Sequence, residues 1–299
     1  MSKRDVAAVV VNHDAGEALL ACVSSFRAEG VSDVVVVDNA SSDGSSEMLT
    51  EADPDVRVVR TGANLGYGTG ANRGTALVSS EIVLVSNPDV VLHSGALAAL
   101  EEVLRADDSL AIAGPRIEES DGTRYPSARR FPSLTDAAGH VLLGKLVPAN
   151  RFTRRYRMDD LDAARTTPVD WVSGACFAVR REALRELGGF DESYFMYAED
   201  VDLCWRARRA GWGVAYVPRA VVTHHQGLST SRHPYRMLLA HHRSAYRFAS
   251  RSTRGWRRVL LPAVAGLLGA HLLAACVEHA LAARRTAVQL GPTRVASRS

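Results

Sequence analysis

Short apolar segments and amphipathic segments alternate along the first third of the chain. The apolar segments are rich in valine, do not alternate with polar residues, and cover 6–11, 34–37, 56–59 and 82–85. Such segments are typical of strands buried on both faces of a mostly parallel sheet. Between and after them, helical spacing of apolar residues extends over 15–28, 45–52, 70–78 and 95–106. This alternation predicts repeated βα units, an architecture common among nucleotide-binding domains.

The pattern loses its regularity over 115–168, which contains a loop-forming segment at 125–132 followed by a cluster of arginines. Such an excursion inside an enzyme usually faces the substrate. Order returns with a strand predicted over 171–179, a helix over 181–187 that stops at Gly188-Gly189, a helix over 199–210, and short strands over 214–217 and 221–222 that lead to His224.

A long apolar segment near the end of the chain, 259–277, is interrupted only by His271 and has close to the length of a membrane span. Basic pairs flank it, at 257–258 and 284–285. Proline, glycine and charged positions argue against a simple span: Pro262, Gly266, Gly269, His271 and Glu278. Three alternatives stay open: a helix lying on an anionic membrane surface, a dimer-forming helix pair, or a marginal transmembrane segment.

Composition narrows the function classes. The 299 residues carry a net charge of +3 with 23% charged residues, which does not suggest a nucleic-acid binder. Four scattered cysteines show no paired spacing, so we expect free thiols in a reducing cytoplasm. The basic first residues meet an apolar run that stops at Val11 without a cleavage pattern, so we expect no signal peptide.

A carboxylate stands where a predicted buried strand leaves the core, at Asn87-Pro88-Asp89. The carboxyl ends of strands in an open α/β sheet form the ligand crevice, and an aspartate held there can bind a hard cation. A plain strand-to-turn corner is the alternative, because this tripeptide is also good turn chemistry.

A second strand-end carboxylate is Asp38. It is followed by Ser41, Ser42 and Asp43, which suffice to build the turn into the next helix. Asp38 is therefore expected to be free for a ligand, as acceptor for a nucleobase imide N–H or a ribose hydroxyl.

The glycine-rich turn 64–73 opens a predicted helix, which lets backbone N–H groups approach phosphate. Its spacing differs from the dinucleotide fingerprint, and the acidic residue lies upstream of it. Both observations count against an NAD-dependent oxidoreductase.

A third carboxylate, Asp200, lies in the first turn of a predicted helix beside Glu199, and His224 follows a later strand. An aspartate and a histidine, completed by diphosphate oxygens and water, suit Mg²⁺ or Mn²⁺ better than Zn²⁺. Adjacent side chains of an extended chain point to opposite sides, so only one of His224 and His225 is expected to be a ligand. A solvent-exposed histidine pair is the alternative.

Seven motifs occur in a consistent order, at 36–44, 64–68, 87–89, 171–175, 188–192, 199–202 and 224–229. Together they resemble the inverting family 2 glycosyltransferases of the GT-A fold. The resemblance implies an α/β protein with a mostly parallel, Rossmann-like sheet flanked by helices. It also implies a catalytic domain at 1–232, with a nucleotide-binding half to about 114 and an acceptor-side half beyond it, and a C-terminal helical region at 233–299.

The resemblance assigns roles to individual residues. It implies that Asp200 is the general base, with Glu199 as the local competitor, and that Asp89 and His224 bind the metal. The family motif is often Asp-x-Asp, so Asn87 in the first position weakens one metal contact. The nucleotide-binding residues would be Asp38, which reads the base, with Asn39, Asn64, Gly66, Tyr67, Asn72 and Asn87. The acceptor-side residues would be Trp171, Gly174, Glu199, Arg129 and Arg243.

Narrower motifs at 62–69, 125–129, 194–203 and 240–246 resemble the branch that transfers rhamnose during assembly of a cell-wall linker. That branch implies a dTDP-rhamnose donor, a polyprenyl-diphosphate-linked N-acetylglucosamine acceptor, and work at the cytoplasmic face of the plasma membrane. Arg129, Arg130 and Arg243 would contact the lipid diphosphate, or be ordinary surface arginines. Two other interpretations stay open: a glycosyltransferase of the same fold that uses another nucleotide-sugar for polysaccharide synthesis, and a non-catalytic nucleotide-sugar-binding protein.

Overall fold

The computed structural model describes residues 5–131, 147, 150–158, 161–162, 164–225 and 234–289. The chain divides into two compact units, Met1–Arg232 and His233–Ser299.

The first unit contains twelve strands and seven helices within its described residues. The strands are β1 (Val6–Asn12), β2 (Asp33–Asp38), β3 (Arg57–Arg60), β4 (Ile82–Ser86), β5 (Val90–Leu92), β6 (Leu110–Glu118), β7 (Arg124–Tyr125), β8 (Ala128–Arg129), β9 (Thr167–Pro168), β10 (Trp171–Val172), β11 (Cys176–Arg180) and β12 (Gly213–His224). The helices are α1 (Ala18–Ala28), α2 (Ser45–Ala52), α3 (Tyr67–Thr75), α4 (Ala96–Ala106), α5 (Arg151–Arg157), α6 (Arg181–Glu186) and α7 (Glu199–Arg209).

The first half of the main sheet is parallel, with the order β3-β2-β1-β4. Strands β1 and β4 are buried at every position, as their unbroken apolar segments predict. The apolar face of α1, including Leu19 and Phe26, packs with Leu97, Leu100 and Leu104 of α4 into one fully buried core. This core holds the carboxyl edge of the parallel strands in place.

The second half of the sheet is mixed. Strand β11 runs antiparallel between β4 and β6, and β12 is parallel to β6 and antiparallel to β5. The segments predicted as two short strands, 214–217 and 221–222, belong to one strand, β12, whose register shifts between Val217 and Val221. The α/β class with helices flanking a largely parallel sheet is confirmed.

The prediction of one strand over 171–179 is wrong. The segment forms two strands: β10 pairs with β8 in a separate ribbon, and β11 joins the main sheet. The break lies at Gly174, where an added Cβ would approach the Asp200 Cβ to 3.0 Å. A close approach of two backbones, which the apolar pattern does not reveal, therefore interrupts the strand.

The second unit consists of α8 (Pro234–Ser252), a 3₁₀ turn (Gly255–Leu260) and α9 (Leu261–Gln289). His242 of α8 lies 2.9 Å from His271 of α9 through their ring nitrogens, so the two helices pack together. Within the described residues, Gly255–Ala282 is the one stretch long and apolar enough to cross a membrane, by length and composition only. Its apolar side chains stay exposed, with Val259 at 73% and Leu273 at 67%.

Candidate active site

The carboxyl ends of the parallel strands form one edge. The registers place Asn12 of β1 beside Asp38 of β2, and Val10 of β1 beside Ser86 of β4, directly before Asn87. Ligands of open α/β sheets bind at this edge.

Asp38 is not entirely free for a ligand, because one of its carboxylate oxygens already accepts a hydrogen bond within the protein. Its Oδ1 accepts a hydrogen bond from the Ser41 backbone N–H at 3.0 Å, and the side chain is buried. Asp43 instead holds the helix entry, since its Oδ1 accepts from both the N–H and the hydroxyl of Ser45. Asp38 thus shapes the turn at the strand end with one oxygen, because a short acidic side chain readily accepts from the backbone N–H a few residues on.

Two asparagines hold the glycine-rich turn. The Asn39 amide donates to the Gly66 carbonyl at 3.0 Å, and the Asn64 Oδ1 accepts from the Gly66 N–H at 3.0 Å. Gly66 has φ +87°, and a Cβ there would overlap the Phe195 carbonyl oxygen. Only glycine lets the segment around Phe195 lie this close to the turn.

Tyr67 joins the two halves of the first unit. Its buried hydroxyl donates to the Gly174 carbonyl at 2.6 Å, and its backbone N–H donates to the Phe195 carbonyl at 3.1 Å. Burial, with a smaller effect from the charge of Glu199, raises the pKa of Tyr67 well above its ordinary value. The phenol therefore stays neutral and acts as a hydrogen-bond donor.

Asn72 is committed to a neighbouring loop. Its amide nitrogen donates to the Phe190 carbonyl and the Glu192 carboxylate, both at 3.0 Å, and its Oδ1 accepts from the Phe190 N–H at 2.8 Å. This structure therefore shows Asn72 supporting the segment after Gly189, where an added Cβ would lie 2.5 Å from the Asn72 Oδ1.

Asn87, Asp89 and His224 converge on one point. The His224 Nε2 lies 3.1 Å from the Asp89 Oδ1 and 3.3 Å from the Asn87 Nδ2. The Asp89 Oδ1 is buried and makes no well-directed hydrogen bond, although the imidazole nitrogen lies within hydrogen-bond distance. A buried carboxylate oxygen without a directed hydrogen bond, 3.1 Å from an imidazole nitrogen, fits the binding of a divalent cation.

His225 faces elsewhere. Its ring Nδ1 lies 2.8 Å from the Ser120 hydroxyl, and its backbone N–H donates to the Asp89 carbonyl at 2.9 Å. The part of the chain that the structure describes contains no group of three or more histidine, cysteine, aspartate and glutamate side chains placed for a metal ion. Asp89 and His224 thus offer two ligands. The other residues of the 224–229 motif that follow His225, including Gly227 and Ser229, lie outside the described residues.

Asp200 lies at the start of α7, after two residues in the left-handed region, Tyr197 (φ +68°) and Ala198 (φ +63°). Such strain in non-glycine residues is characteristic of functional sites. The Asp200 Oδ2 accepts from the Gly174 N–H at 2.7 Å, and its Oδ1 accepts from the Val201 N–H at 2.8 Å.

The two adjacent carboxyl groups have different surroundings. Burial, reinforced by the Asp200 charge, raises the pKa of Glu199 to about 8. Burial also raises the pKa of Asp200, but the N–H groups of Gly174 and Val201 and the charge of Arg129 oppose that rise. The paired carboxyls are therefore distinguishable by their environments.

Arg129 is held in an aromatic box. Its guanidinium carbon lies 5.4 Å from the Tyr125 ring centroid, 5.5 Å from that of Tyr156 and 5.1 Å from that of Trp171. The Trp171 indole in turn donates to the Arg130 carbonyl at 3.0 Å. Sequence reasoning missed Tyr156, because it lies in the segment without periodic patterning.

Contacts connect these groups into one site. Hydrogen bonds run from the Asn39 amide to the Gly66 carbonyl and from the Tyr67 hydroxyl to the Gly174 carbonyl. The Gly174 N–H in turn donates to Asp200. The Asn87 N–H donates to the Ala175 carbonyl at 2.8 Å, which joins the glycine break to the Asp89 and His224 pair. Of the residues singled out in the sequence, Arg243 lies on α8 in the second unit.

Comparisons with known proteins define the class. Residues 3–244 match the family model described as glycosyltransferase like family 2. An N-acetylglucosaminyl-diphospho-decaprenol L-rhamnosyltransferase of Mycobacterium tuberculosis is 42% identical over 256 residues, which cover 82% of this chain and 83% of that protein. The protein is therefore a glycosyltransferase, and the chain belongs to the family 2-like glycosyltransferases.

Solved structures support the fold. A mannosyltransferase from Pyrobaculum calidifontis in complex with GDP-Man and Mn²⁺ aligns with a TM-score of 0.57 at 17% identity, over 98% of this chain and 82% of that chain. GalNAc-T7 with UDP, GalNAc and Mn²⁺ aligns with a TM-score of 0.55 at 15% identity, over 89% of this chain but 54% of that chain. The fold is thus that of the GT-A glycosyltransferases, as the motifs predict.

Proposed function

We propose that this protein transfers L-rhamnose from dTDP-rhamnose to N-acetylglucosamine on a polyprenyl diphosphate, with a divalent metal ion and with Asp200 as general base. The acceptor and the sugar are supported by the relative at 42% identity, whose name specifies rhamnosyl transfer to N-acetylglucosaminyl-diphospho-decaprenol. The observation that carries the chemistry is the connection of Asp200, through the 174–175 segment and Asn87, to the Asp89 and His224 pair.

Asp89 and His224 would hold Mg²⁺ or Mn²⁺. The bound cation would offset the negative charge that develops on the departing diphosphate. The other ligands would be diphosphate oxygens and water, because the described residues at this point supply this pair and the nearby Asn87 amide. Both neighbours with the shared fold were solved with Mn²⁺, which makes a divalent ion a reasonable expectation here.

The donor nucleotide would lie along the edge formed by β1, β2 and β4. Asp38 would read the nucleobase with the oxygen that does not close the turn, while Asn39, Asn64 and Gly66 present the glycine-rich turn to the phosphates. Tyr67, Asn72 and Asn87 would act mainly by holding this edge in place, because the structure shows their side chains bonded within the protein or beside His224.

Asp200 would accept the proton of an acceptor hydroxyl. As the O–H bond breaks, that oxygen attacks the anomeric carbon from the face opposite the bond to the diphosphate, and this bond breaks with its electron pair left on the nucleotide. The products are the rhamnosyl acceptor and dTDP, with inversion at the anomeric carbon. Because the N–H groups of Gly174 and Val201 hold both Asp200 oxygens, the base keeps a fixed orientation.

The acceptor would approach from the side of β8 and β10. Trp171, Gly174, Glu199 and Arg129 would form this side, and Arg129 would present a permanent positive charge to the lipid diphosphate. Arg243, which the motif at 240–246 assigns to acceptor binding, lies on α8 of the second unit, and its role stays a prediction.

The second unit, 233–299, is proposed to attach the enzyme to the cytoplasmic face of the plasma membrane. Its support is the exposed apolar face of Gly255–Ala282 together with the exposed basic residues Arg254, Arg257 and Arg258 at its start. A helix of this composition suits an anionic lipid surface, where a polyprenyl-linked acceptor would also be found.

A panel of nucleotide-sugars, offered with synthetic polyprenyl-diphosphate N-acetylglucosamine and resolved by mass spectrometry, tests the proposed substrates. We expect a mass increase of one deoxyhexose with dTDP-rhamnose, and the highest kcat/KM for that donor. Faster transfer from another nucleotide-sugar would make this a glycosyltransferase of the same fold with a different donor. Nucleotide-sugar binding without any product would favour the non-catalytic alternative.

A further inference from the structure

Two carboxyl groups stand side by side at the start of α7, and their hydrogen bonding is unequal. Each Asp200 oxygen accepts from a backbone N–H, at 2.7 and 2.8 Å. Glu199 is 7% exposed, and its Oε2 is buried without a hydrogen-bond partner. An ionised carboxylate is stable where donors face it and unstable where a buried oxygen has none.

The groups around the pair reinforce this difference. Burial, with a smaller effect from the nearby Glu199 charge, raises the pKa of Tyr67 in α3 and of Tyr197 in the loop before α7, so both phenols are neutral at neutral pH. Arg129 acts on the Asp200 side. An ion on Asp200 is therefore stabilised by two N–H groups and a cation, whereas an ion on Glu199 would have its own backbone N–H and a buried Oε2 without a hydrogen-bond partner.

We propose that Glu199 and Asp200 together hold one proton at neutral pH, that this proton resides on the buried Glu199, and that neutral Glu199 is a positioning residue. This inference rests on the proposed role of Asp200. Proton transfer from Glu199 to Asp200 would leave two backbone donors facing a neutral acid and an unpaired buried charge next to it. Retention of the proton on Glu199 leaves Asp200 ionised and ready to accept the hydroxyl proton of the acceptor.

The arrangement has a consequence at alkaline pH. Once Glu199 loses its proton, two negative charges stand together beside the proposed diphosphate site, and they disfavour donor binding. The wild-type kcat/KM should therefore fall as pH rises through about 8, where the Glu199 carboxyl ionises. The fall would be absent in Glu199→Gln, whose amide matches the neutral acid in shape and charge.

Infrared difference spectroscopy of the full-length protein locates the proton directly. Ordinary aspartates and glutamates are ionised above about pH 6, so the carbonyl stretch of a protonated carboxyl in that range reports only strongly perturbed groups. We expect this band in the wild type, with a midpoint near pH 8, and its loss in Glu199→Gln. In Asp200→Asn we expect the band to persist with a lower midpoint, because the neighbouring charge that raises it is gone.

The variants distinguish failure of this inference from failure of the proposed function. A band that persists in Glu199→Gln and disappears in Asp200→Asn would put the proton on Asp200 and overturn the inference. Transfer activity of Asp200→Asn near wild type would instead move the base elsewhere, while the infrared result would still locate the proton. Circular dichroism of both variants shows whether the fold is kept, and Glu199→Asp, which keeps an ionisable group, should restore the alkaline fall in kcat/KM.

Discussion

At the scale of single residues, adjacent side chains of the same chemical type have different hydrogen-bond partners in this site. Glu199 and Asp200 are adjacent and chemically alike, yet only Asp200 has backbone N–H groups directed at both oxygens. The adjacent histidines also have different neighbours: the His224 ring lies beside Asp89, and the His225 ring lies beside Ser120. Residue type alone therefore does not assign a role at this site.

The raised pKa of Glu199 makes stability depend on pH. Between about pH 4.5 and about pH 8 the folded protein binds one proton more than the unfolded chain. The free energy of unfolding should fall by roughly 2–4 kcal/mol as pH rises through this window, and level off above it. Urea denaturation at pH 5, 6.5 and 8.5 measures the fall. Glu199→Gln should reduce the fall without abolishing it, because the pKa of Asp200 is also raised, and the exposed-site control Glu51→Gln should keep it in full. An equal slope in both variants would contradict the assignment.

The Asp89 and His224 pair predicts metal dependence. Chelator should abolish transfer, and Mn²⁺ or Mg²⁺ should restore it. Titration calorimetry with Mn²⁺ in the presence of dTDP should show at least about tenfold weaker binding for Asp89→Asn and His224→Ala, since each removes one ligand. His225→Ala is the matched control and should bind as wild type. Full activity in chelator would contradict a role for Asp89 and His224 in binding a required metal ion.

At the scale of elements, the site depends on irregular segments that cross between regular ones. The 173–175 break between β10 and β11 carries the Gly174 carbonyl, which accepts from Tyr67, and the Gly174 N–H, which donates to Asp200. The same break touches Asn87 through the Ala175 carbonyl. One short loop thus fixes Asp200, the glycine-rich turn and Asn87 at the end of β4 relative to one another.

Tyr67→Phe tests this link. The substitution leaves the buried Gly174 carbonyl without its donor, so the free energy of unfolding should fall by about 1–3 kcal/mol, with a lower kcat because Asp200 loses its fixed position. Thermal or urea denaturation with steady-state kinetics measures both effects. Tyr246→Phe removes an exposed hydroxyl and should change stability by less than about 0.5 kcal/mol. An unchanged kcat in Tyr67→Phe would show that the position of the 173–175 break does not affect catalysis.

The valine-rich segments made the parallel strands β1, β2 and β4 predictable, because burial on both faces leaves a direct mark on residue type. The same expectation of burial is wrong for β3, which lies at the sheet edge with its residues exposed or partly buried. The insertion of antiparallel β11 between β4 and β6 was not predictable, since it depends on pairing between residues 65 to 98 positions apart in sequence. The candidate site residues could be found from motifs at strand ends. The bond from Ser41 to Asp38 and the aromatic box around Arg129 depend on turn geometry and distant packing, which local pattern does not encode.

At the scale of the whole molecule, the two units have different surfaces. The first unit buries most large apolar side chains of its described residues, whereas Gly255–Ala282 keeps several exposed, including Leu273 and Val277. An exposed apolar surface of this extent marks an interaction site. Attachment to a lipid surface would bring the enzyme to its proposed polyprenyl-linked acceptor.

Sedimentation with anionic phospholipid vesicles tests the membrane proposal. Leu273→Glu combined with Val277→Glu should reduce vesicle binding at least about tenfold without loss of stability, because both side chains are exposed. Activity on a short, water-soluble acceptor should stay at the wild-type level. Unchanged vesicle binding would contradict the proposal, and a change from dimer to monomer in light scattering would identify the segment as a helix pair between two copies instead.

The most direct test of the central claim compares Asp200→Asn with Glu199→Gln in a rhamnosyl-transfer assay with dTDP-rhamnose. We expect Asp200→Asn to bind dTDP-rhamnose with wild-type affinity but to lose about 10²–10⁴-fold in kcat, because its amide cannot take the acceptor proton. Glu199→Gln should lose far less kcat than Asp200→Asn at pH 7, because its Asp200 carboxylate is intact. Near-wild-type turnover by Asp200→Asn, with donor binding intact, would contradict the account.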